Sequence, residues 1–224
     1  FIGRKVGCYL ADGPDHCGER VFDGLGVSSA VYARHEPLCR VIDPAVVRLP
    51  PRRKRNSHKN DYGHVLVVGG DRSMSGAVRL AARGALRCGA GLVSACVHPD
   101  NYALVAQSDA EIMVDDWSRL SRLLRRASVV VVGPGLGRSD AAAGLLETLT
   151  TCQLPMVVDA DALQAGFLDR LANDATVITP HPGEAGQLLG VPTADIQQDR
   201  IQALRQIIRR WPVTCVLKGA GSLV

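Results

Sequence analysis

Ser128-Val-Val-Val-Val-Gly-Pro-Gly-Leu-Gly137 is the stretch on which the fold turns. Four consecutive valines between a polar residue and a glycine turn predict a strand buried on both faces, as in parallel sheets covered by helices. The chain then bends sharply at Gly133, and Gly135 and Gly137 let the backbone pass close to a neighbour. Ser139 is placed to cap a helix carrying Leu145, Leu146 and Leu149 on one face. Strand, glycine turn and helix start form an anion-friendly mouth, because unpaired backbone N–H groups and the helix dipole point into it. A tight βα connection with no ligand carries the same glycine pattern, so this stretch alone speaks to fold rather than function.

The same rhythm extends in both directions. Upstream, Val65-Leu-Val-Val68 reads as a strand, followed by the polar, glycine-rich Gly69 to Gly76. Ala77, Ala81, Ala85 and Cys88 then lie at helical spacing before a stop at Gly89. Leu92 to Val97 and the shorter Ile112 to Val114 are further strands, and Leu120, Leu123 and Leu124 mark a helix ending at Arg125 and Arg126. Downstream, strands are expected at Pro155–Asp159, Ala175–Thr179 and Val213–Leu217. A helix with an early proline ends at the stop signals Gly190 and Pro192, and Ile201, Leu204, Ile208 and Trp211 line a final amphipathic helix. The fold class is therefore α/β, a mainly parallel sheet with helices on both faces.

Residues 1–50 lack this alternation. Phe1 to Leu10 reads as one strand, Ala11 to Asp15 as turn chemistry, and Val41 to Leu49 as a short helix or extended segment. Residues 51–60 contain Pro50-Pro-Arg-Arg-Lys-Arg-Asn56 for the most part and form a basic linker, stiffened by proline and extended by its charge. No aromatic residues interleave that run and no nucleic-acid motif accompanies it, which favours a solvated hinge over a nucleic-acid site. Residues 61–224 make up the α/β domain.

With 224 residues the chain is long enough for one sizeable α/β domain plus a remnant. An aromatic share of 4% within 46% hydrophobic residues leaves the core to Val, Leu, Ile and Ala. The net charge of +4 is modest and concentrated in the linker. Seven cysteines without a C-x-x-C pair, Cys96 and Cys215 inside apolar runs, argue for a reducing, cytoplasmic setting with no disulfide framework or cysteine metal site. No apolar run reaches membrane-spanning length, since Arg79, Arg83 and Arg87 interrupt the longest. The first residue, Phe1 rather than Met, suggests a start inside a longer protein.

In an open parallel sheet, ligands bind beyond the carboxyl ends of the strands. Polar or glycine-rich segments recur at that edge: Gly69–Gly76, Gly133–Gly137, Asp159–Asp161, Thr179–Glu184 and Lys218–Ser222. Their recurrence points to a nucleotide or phosphate site, although neither a Walker sequence nor a dinucleotide fingerprint is present. Asp161 reads equally as the N-cap of a short helix and as a metal or substrate ligand. Asp159 closes a buried strand and needs a partner or a cation. His181 is either a ligand or a group satisfying a backbone carbonyl, and Glu184 either faces the site or favours the first helical turn. Lys218, followed by Gly-Ala-Gly-Ser222, offers a cation and N–H groups to a phosphate.

These segments also carry a family resemblance. Ser57-His-Lys59, Gly69-Gly70, Met74-Ser-Gly-Ala77, Gly89-Ala-Gly-Leu-Val93, Gly133-Pro-Gly-Leu-Gly137, Asp159-Ala-Asp-Ala-Leu163, Thr179-Pro-His-Pro-Gly-Glu-Ala185 and Lys218-Gly-Ala-Gly221 occur in order. Together they resemble the ADP-dependent NAD(P)H-hydrate dehydratases of the ribokinase-like superfamily. Phe1-Ile-Gly3 and Gly13-Pro-Asp15 resemble the tail of the NAD(P)H-hydrate epimerase domain that precedes it in bifunctional repair enzymes. The resemblance implies repair of hydrated NADH or NADPH: the added hydroxyl is phosphorylated from ADP (ATP in eukaryotic-type relatives) with Mg²⁺, and phosphate loss restores the double bond. It also implies that Ala77, Gly135 and His181 face the hydrated cofactor, and that Lys218, Gly219, Ala220, Gly221 and Ser222 bind the adenine nucleotide. A homo-oligomer is expected of the complete protein, with no membrane partner.

Two departures stand out. Gln164 occupies the position of the family's asparagine, and the family's glycine-rich G-x-G-D segment, with its expected catalytic aspartate, is expected beyond Val224. On that reading the domain is C-terminally incomplete and the 224-residue chain alone is inactive. The alternatives are a small-alcohol or vitamin kinase of the same superfamily, or a non-catalytic nucleotide-binding module.

Overall fold

From His64 onward each short apolar run becomes one strand of a seven-stranded sheet, every neighbouring pair of which is parallel. The computed structural model describes residues 4–42, 45, 47–171 and 173–224. The chain divides into two units, Phe1–Arg55 with Gly219–Ser222, and Asn56–Lys218 with Leu223–Val224.

In the first unit, Val6–Cys8 forms one 3₁₀ turn, α1 spans Gly13–Cys17 and α2 spans Ser29–Tyr32. Arg20 donates to the Cys8 carbonyl at 2.7 Å and lies 4.5 Å from the Tyr9 ring centre. The strand expected over Phe1–Leu10 does not form in its described part, where turn-forming backbone bonds from Cys8 and Tyr9 to Lys5 and Val6 take its place. Phe1–Gly3 lie outside the described residues, as do Asp43, Pro44 and Val46 of the segment Val41–Leu49, whose remaining residues form neither helix nor strand.

In the second unit the elements run β1 His64–Val68, α3 Ser75–Arg87, β2 Leu92–Val97, α4 Tyr102–Ala106, β3 Ile112–Asp116, α5 Leu120–Leu124 and β4 Val129–Val132. They continue with α6 Asp140–Thr150, β5 Met156–Val158, α7 Ala165–Leu168, β6 Thr176–Ile178, α8 Pro182–Leu189, α9 Thr193–Gln198, α10 Arg200–Arg210 and β7 Thr214–Cys215. The strand order is β3-β2-β1-β4-β5-β6-β7. Winding therefore reverses between β1 and β4, which opens a topological switch point beyond their carboxyl ends.

Alternation along each strand feeds two cores. Val67, Val93, Ala95, Val97 and Ile112 pack with Val78 and Ala82 of α3 and Val105 of α4 on one face. On the other face Leu66, Val68, Val130, Val132, Met156, Val158 and Ile178 meet residues of α5 to α10, among them Leu149, Phe167, Leu188 and Ile207. Full burial of each such side chain contributes about 1.5–3 kcal/mol. The valine strand is asymmetric: Val130 and Val132 are fully buried, whereas Val129 and Val131 are only half-buried. Ser139 caps α6 as expected, accepting from Ala142 N, and Gly190 closes α8 in the left-handed conformation. In α10 the inward stripe is Arg200, Ala203, Ile207 and then Trp211, while Ile208, expected on that stripe, is largely exposed.

Candidate active site

The glycine turns after β1 and β4 meet at the switch point. Gly70 N donates to Pro134 O at 3.1 Å, and Asp71 N donates to Gly135 O at 2.6 Å. Two side chains from neighbouring elements hold the first turn. Asn101, buried at the start of α4, donates to the carbonyls of Gly70 (3.1 Å) and Asp71 (2.6 Å), and Trp117 Nε1 donates to Gly69 O at 3.0 Å. Neither residue carries a sequence signal, because each acts on backbone carbonyls far away in the chain.

Gly135 has φ of 60°, and a Cβ there would fall 2.6 Å from Met74 Cβ and 3.1 Å from Ala77 Cβ. Ala77 and Gly135 are thus brought together, and only the missing side chain lets the β4 turn close on α3. At Gly133, with φ of 118°, a Cβ would overlap the Asp159 carbonyl, so the β4 and β5 turns are equally close.

The mouth after β4 is partly filled by the protein itself. Gly137 N, expected to be open to an anion, donates to Asp161 Oδ2 at 2.9 Å. Asp161 is accordingly not an N-cap; it lies in the 3₁₀ turn Ala160–Ala162, and one of its carboxylate oxygens ties two loops together. Gln164 donates through Nε2 to the Asp161 carbonyl at 2.7 Å and braces the same turn.

Positive charge enters from β7. Lys218 Nζ donates to Asp159 Oδ1 at 2.7 Å and stands 3.9 Å from Glu184 Oε2. Burial alone would push the Asp159 carboxyl up, but hydrogen bonds from Lys218 and Thr179, with the lysine charge, hold it below the ordinary carboxylate value. The partner that Asp159 requires is Lys218.

His181 and Glu184 form a reciprocal capping box on α8. His181 Nδ1 accepts from Gly183 N (3.0 Å) and Glu184 N (3.3 Å), while Glu184 Oε2 accepts from His181 N at 2.7 Å. Because Nδ1 is an acceptor, the proton of a neutral ring sits on Nε2, 3.3 Å from Glu184 Oε1. The histidine therefore satisfies backbone N–H groups, not a carbonyl.

The remaining expected nucleotide ligands, Gly219, Ala220, Gly221 and Ser222, group with the first unit, where Ala11 N donates to Ala220 O at 3.2 Å. Among the described residues no three His, Cys, Asp or Glu side chains gather into a metal-binding group, and no helix is long and apolar enough to cross a membrane.

The protein-family model described as NAD(P)H-hydrate dehydratase matches residues 65–224. A bifunctional NAD(P)H-hydrate repair enzyme of Coxiella burnetii is 41% identical across 100% of this chain and 47% of its own length. The chain thus spans about half the length of the curated relatives it matches. Among solved structures, an ADP/ATP-dependent NAD(P)H-hydrate dehydratase of Bacillus subtilis, co-crystallized with ATP/Mg²⁺, is 27% identical with a TM-score of 0.68, covering 78% of this chain and 64% of that one. A ribokinase-like superfamily protein of Enterococcus faecalis, 24% identical over 75% of this chain and 61% of its own, has the same fold at a TM-score of 0.66.

Proposed function

The chain belongs to the NAD(P)H-hydrate dehydratase family, and from that premise we propose that the protein carrying it restores hydrated NADH or NADPH with ADP as phosphoryl donor. The observation that carries this reading is the Lys218–Asp159 pair, with the His181–Glu184 box beside it at the carboxyl edge of a ribokinase-like sheet. Lys218 supplies a cation whose present partner is a carboxylate, and a phosphate oxygen can take that partner's place. Ala77 and Gly135, packed against each other where the β4 turn closes on the start of α3, face the hydrated nicotinamide ring. His181 Nε2 faces the hydrate. The nucleotide would supply the phosphate that turns hydroxide into a better leaving group, and Mg²⁺ bound with it would neutralise charge on the transferring phosphoryl group.

The rim carboxylates are poorly suited to take the substrate's proton. Asp159 is held below its ordinary value and paired, Asp161 accepts from Gly137 N, and Glu184 accepts from His181 N. A general base works best with a pKa near the working pH. We therefore assign proton acceptance to a group other than these three.

The test incubates the full-length protein with hydrated NADH, ADP and Mg²⁺ and follows the absorbance of restored NADH. Restoration is expected, and Lys218→Ala should weaken ADP binding about 10- to 100-fold in calorimetry while the hydrate binds as before. Absence of restoration, together with phosphorylation of hydroxymethylpyrimidine or hydroxyethylthiazole, would replace this reading by a vitamin kinase.

A further inference from the structure

Arg200 is the first residue of α10, and both its position and its burial are unfavourable on general grounds. A cation at a helix N-terminus opposes the dipole, and this one is only 3% exposed within a largely apolar core. Burial lowers its pKa from the ordinary value, yet an arginine remains charged. The compensation is directional. Nη2 donates at 3.1 Å to the carbonyl of Leu217 and at 3.1 Å to the carbonyl of Lys218.

β7 is short, and of those two carbonyls Leu217 O also accepts from Leu223 N at 3.1 Å, in an antiparallel bridge between Leu217 and Leu223. The ladder of β7 with β6 covers Thr214 and Cys215 only, after which single backbone bonds continue from Val216 N to Ile178 O (2.8 Å) and from Lys218 N to Pro180 O (2.8 Å). Lys218 thus lies beyond a two-residue edge strand, directly after the bridged Leu217, and its ammonium meets Asp159 at 2.7 Å. The guanidinium fixes the Lys218 peptide from the carbonyl side, as Pro180 fixes it from the N–H side. Both bonds leave the one nitrogen Nη2, whose two protons lie in the fixed guanidinium plane, whereas a lysine at position 200 would carry its protons on a freely rotating ammonium at the end of a flexible stem.

We propose that Arg200 is a positioning residue that sets the Lys218 ammonium against Asp159 and so prepares the cation for a nucleotide phosphate. The structural half stands on geometry alone; the nucleotide half rests on the function proposed above.

The two halves are tested separately. The Asp159 carboxyl is titrated by carbon NMR in the full-length protein, in Arg200→Met, Arg200→Lys and Lys218→Met, and in the double variant Arg200→Met/Lys218→Met. Arg200→Met should move the Asp159 titration upward in the same direction as Lys218→Met, and should add nothing further in the Lys218→Met background. Arg200→Lys should lie between wild type and Arg200→Met, and it carries the test alone if Arg200→Met does not fold. An unchanged Asp159 titration in a folded Arg200 variant, or an equal shift in both backgrounds, would overturn the proposal, since a merely structural arginine would not act through Lys218. The second measurement is ADP affinity, expected to fall about tenfold in Arg200→Met. If Asp159 follows Arg200 while ADP affinity is unchanged in Arg200 and Lys218 variants alike, the phosphate role fails and the positioning role stands.

Discussion

At the scale of single residues, His181 shows how a predicted ligand can carry a structural duty as well. Its Nδ1 caps α8, so His181→Ala removes both the cap and Nε2. The cap is worth about 1 kcal/mol, enough to shift the unfolding midpoint visibly. Asparagine is also a strong N-cap, but it lacks an atom at the position of Nε2. His181→Asn is therefore expected to keep wild-type stability in denaturant titrations while binding hydrated cofactor more weakly than wild type, with ADP affinity little changed. If both variants bind hydrate as wild type does, the histidine is a cap alone. Lys218 and Asp159 show the opposite case. Each is ambiguous by itself in the sequence, and the structure pairs the two at 2.7 Å.

At the scale of elements, the strands are the most legible part because hydrophobic runs such as Val65–Val68 and Val129–Val132 are bounded by glycines and polar residues. The face of α10 is less legible. Pattern reading assigns a charged residue to solvent, so Arg200 drops out and the stripe slips from Ile207 to Ile208. Ile207 is 0% exposed and Ile208 is 43% exposed. Ile207→Ala should then cost about 2–5 kcal/mol in urea unfolding, as buried large-to-small changes do. Ile208→Ala should cost less than about 1 kcal/mol. The reverse order would restore the sequence-based face. The same limit hides Asn101 and Trp117, whose partners are the backbone carbonyls of Gly69, Gly70 and Asp71. Spacing along a chain reports which face a side chain takes; it does not report which distant carbonyl it will reach. Glycine motifs, in contrast, locate the β1 and β4 turns directly, since Gly135 is required where Met74 and Ala77 approach.

At the scale of the whole molecule, two kinds of buried ionisable group shape the response to acid. The thiols of Cys96 and Cys215 are pushed up to about 12 by burial and stay neutral throughout. His64 is different: it sits at the amino end of β1, with Nδ1 3.1 Å from Arg126 O and Nε2 2.8 Å from Ser94 Oγ. A carbonyl can only accept, so Nδ1 carries the proton and Nε2 accepts from the serine, which satisfies the neutral ring. Burial lowers its pKa from the ordinary 6.5. In the unfolded chain the ring gains its proton as pH falls through about 6.5, while the folded protein resists it until lower pH. Unfolded protein then binds more protons, so stability must fall with pH across that window and level off above it. Asp159 has the same sign for a different reason. Its carboxyl is held below the ordinary 3.8, so its contribution is present above that value and is lost as pH falls through the lower folded pKa. Asp116, lowered by hydrogen bonds from Ser118, titrates in the same acid range. Urea midpoints measured from pH 8 to pH 3 are therefore expected to decline in two stages, the first beginning near pH 6.5. His64→Gln should flatten the first stage relative to wild type and leave the second, whereas Asp159→Asn should reduce the second and leave the first. A first stage that survives His64→Gln in full would mean that His64 is not the group whose lowered pKa produces it.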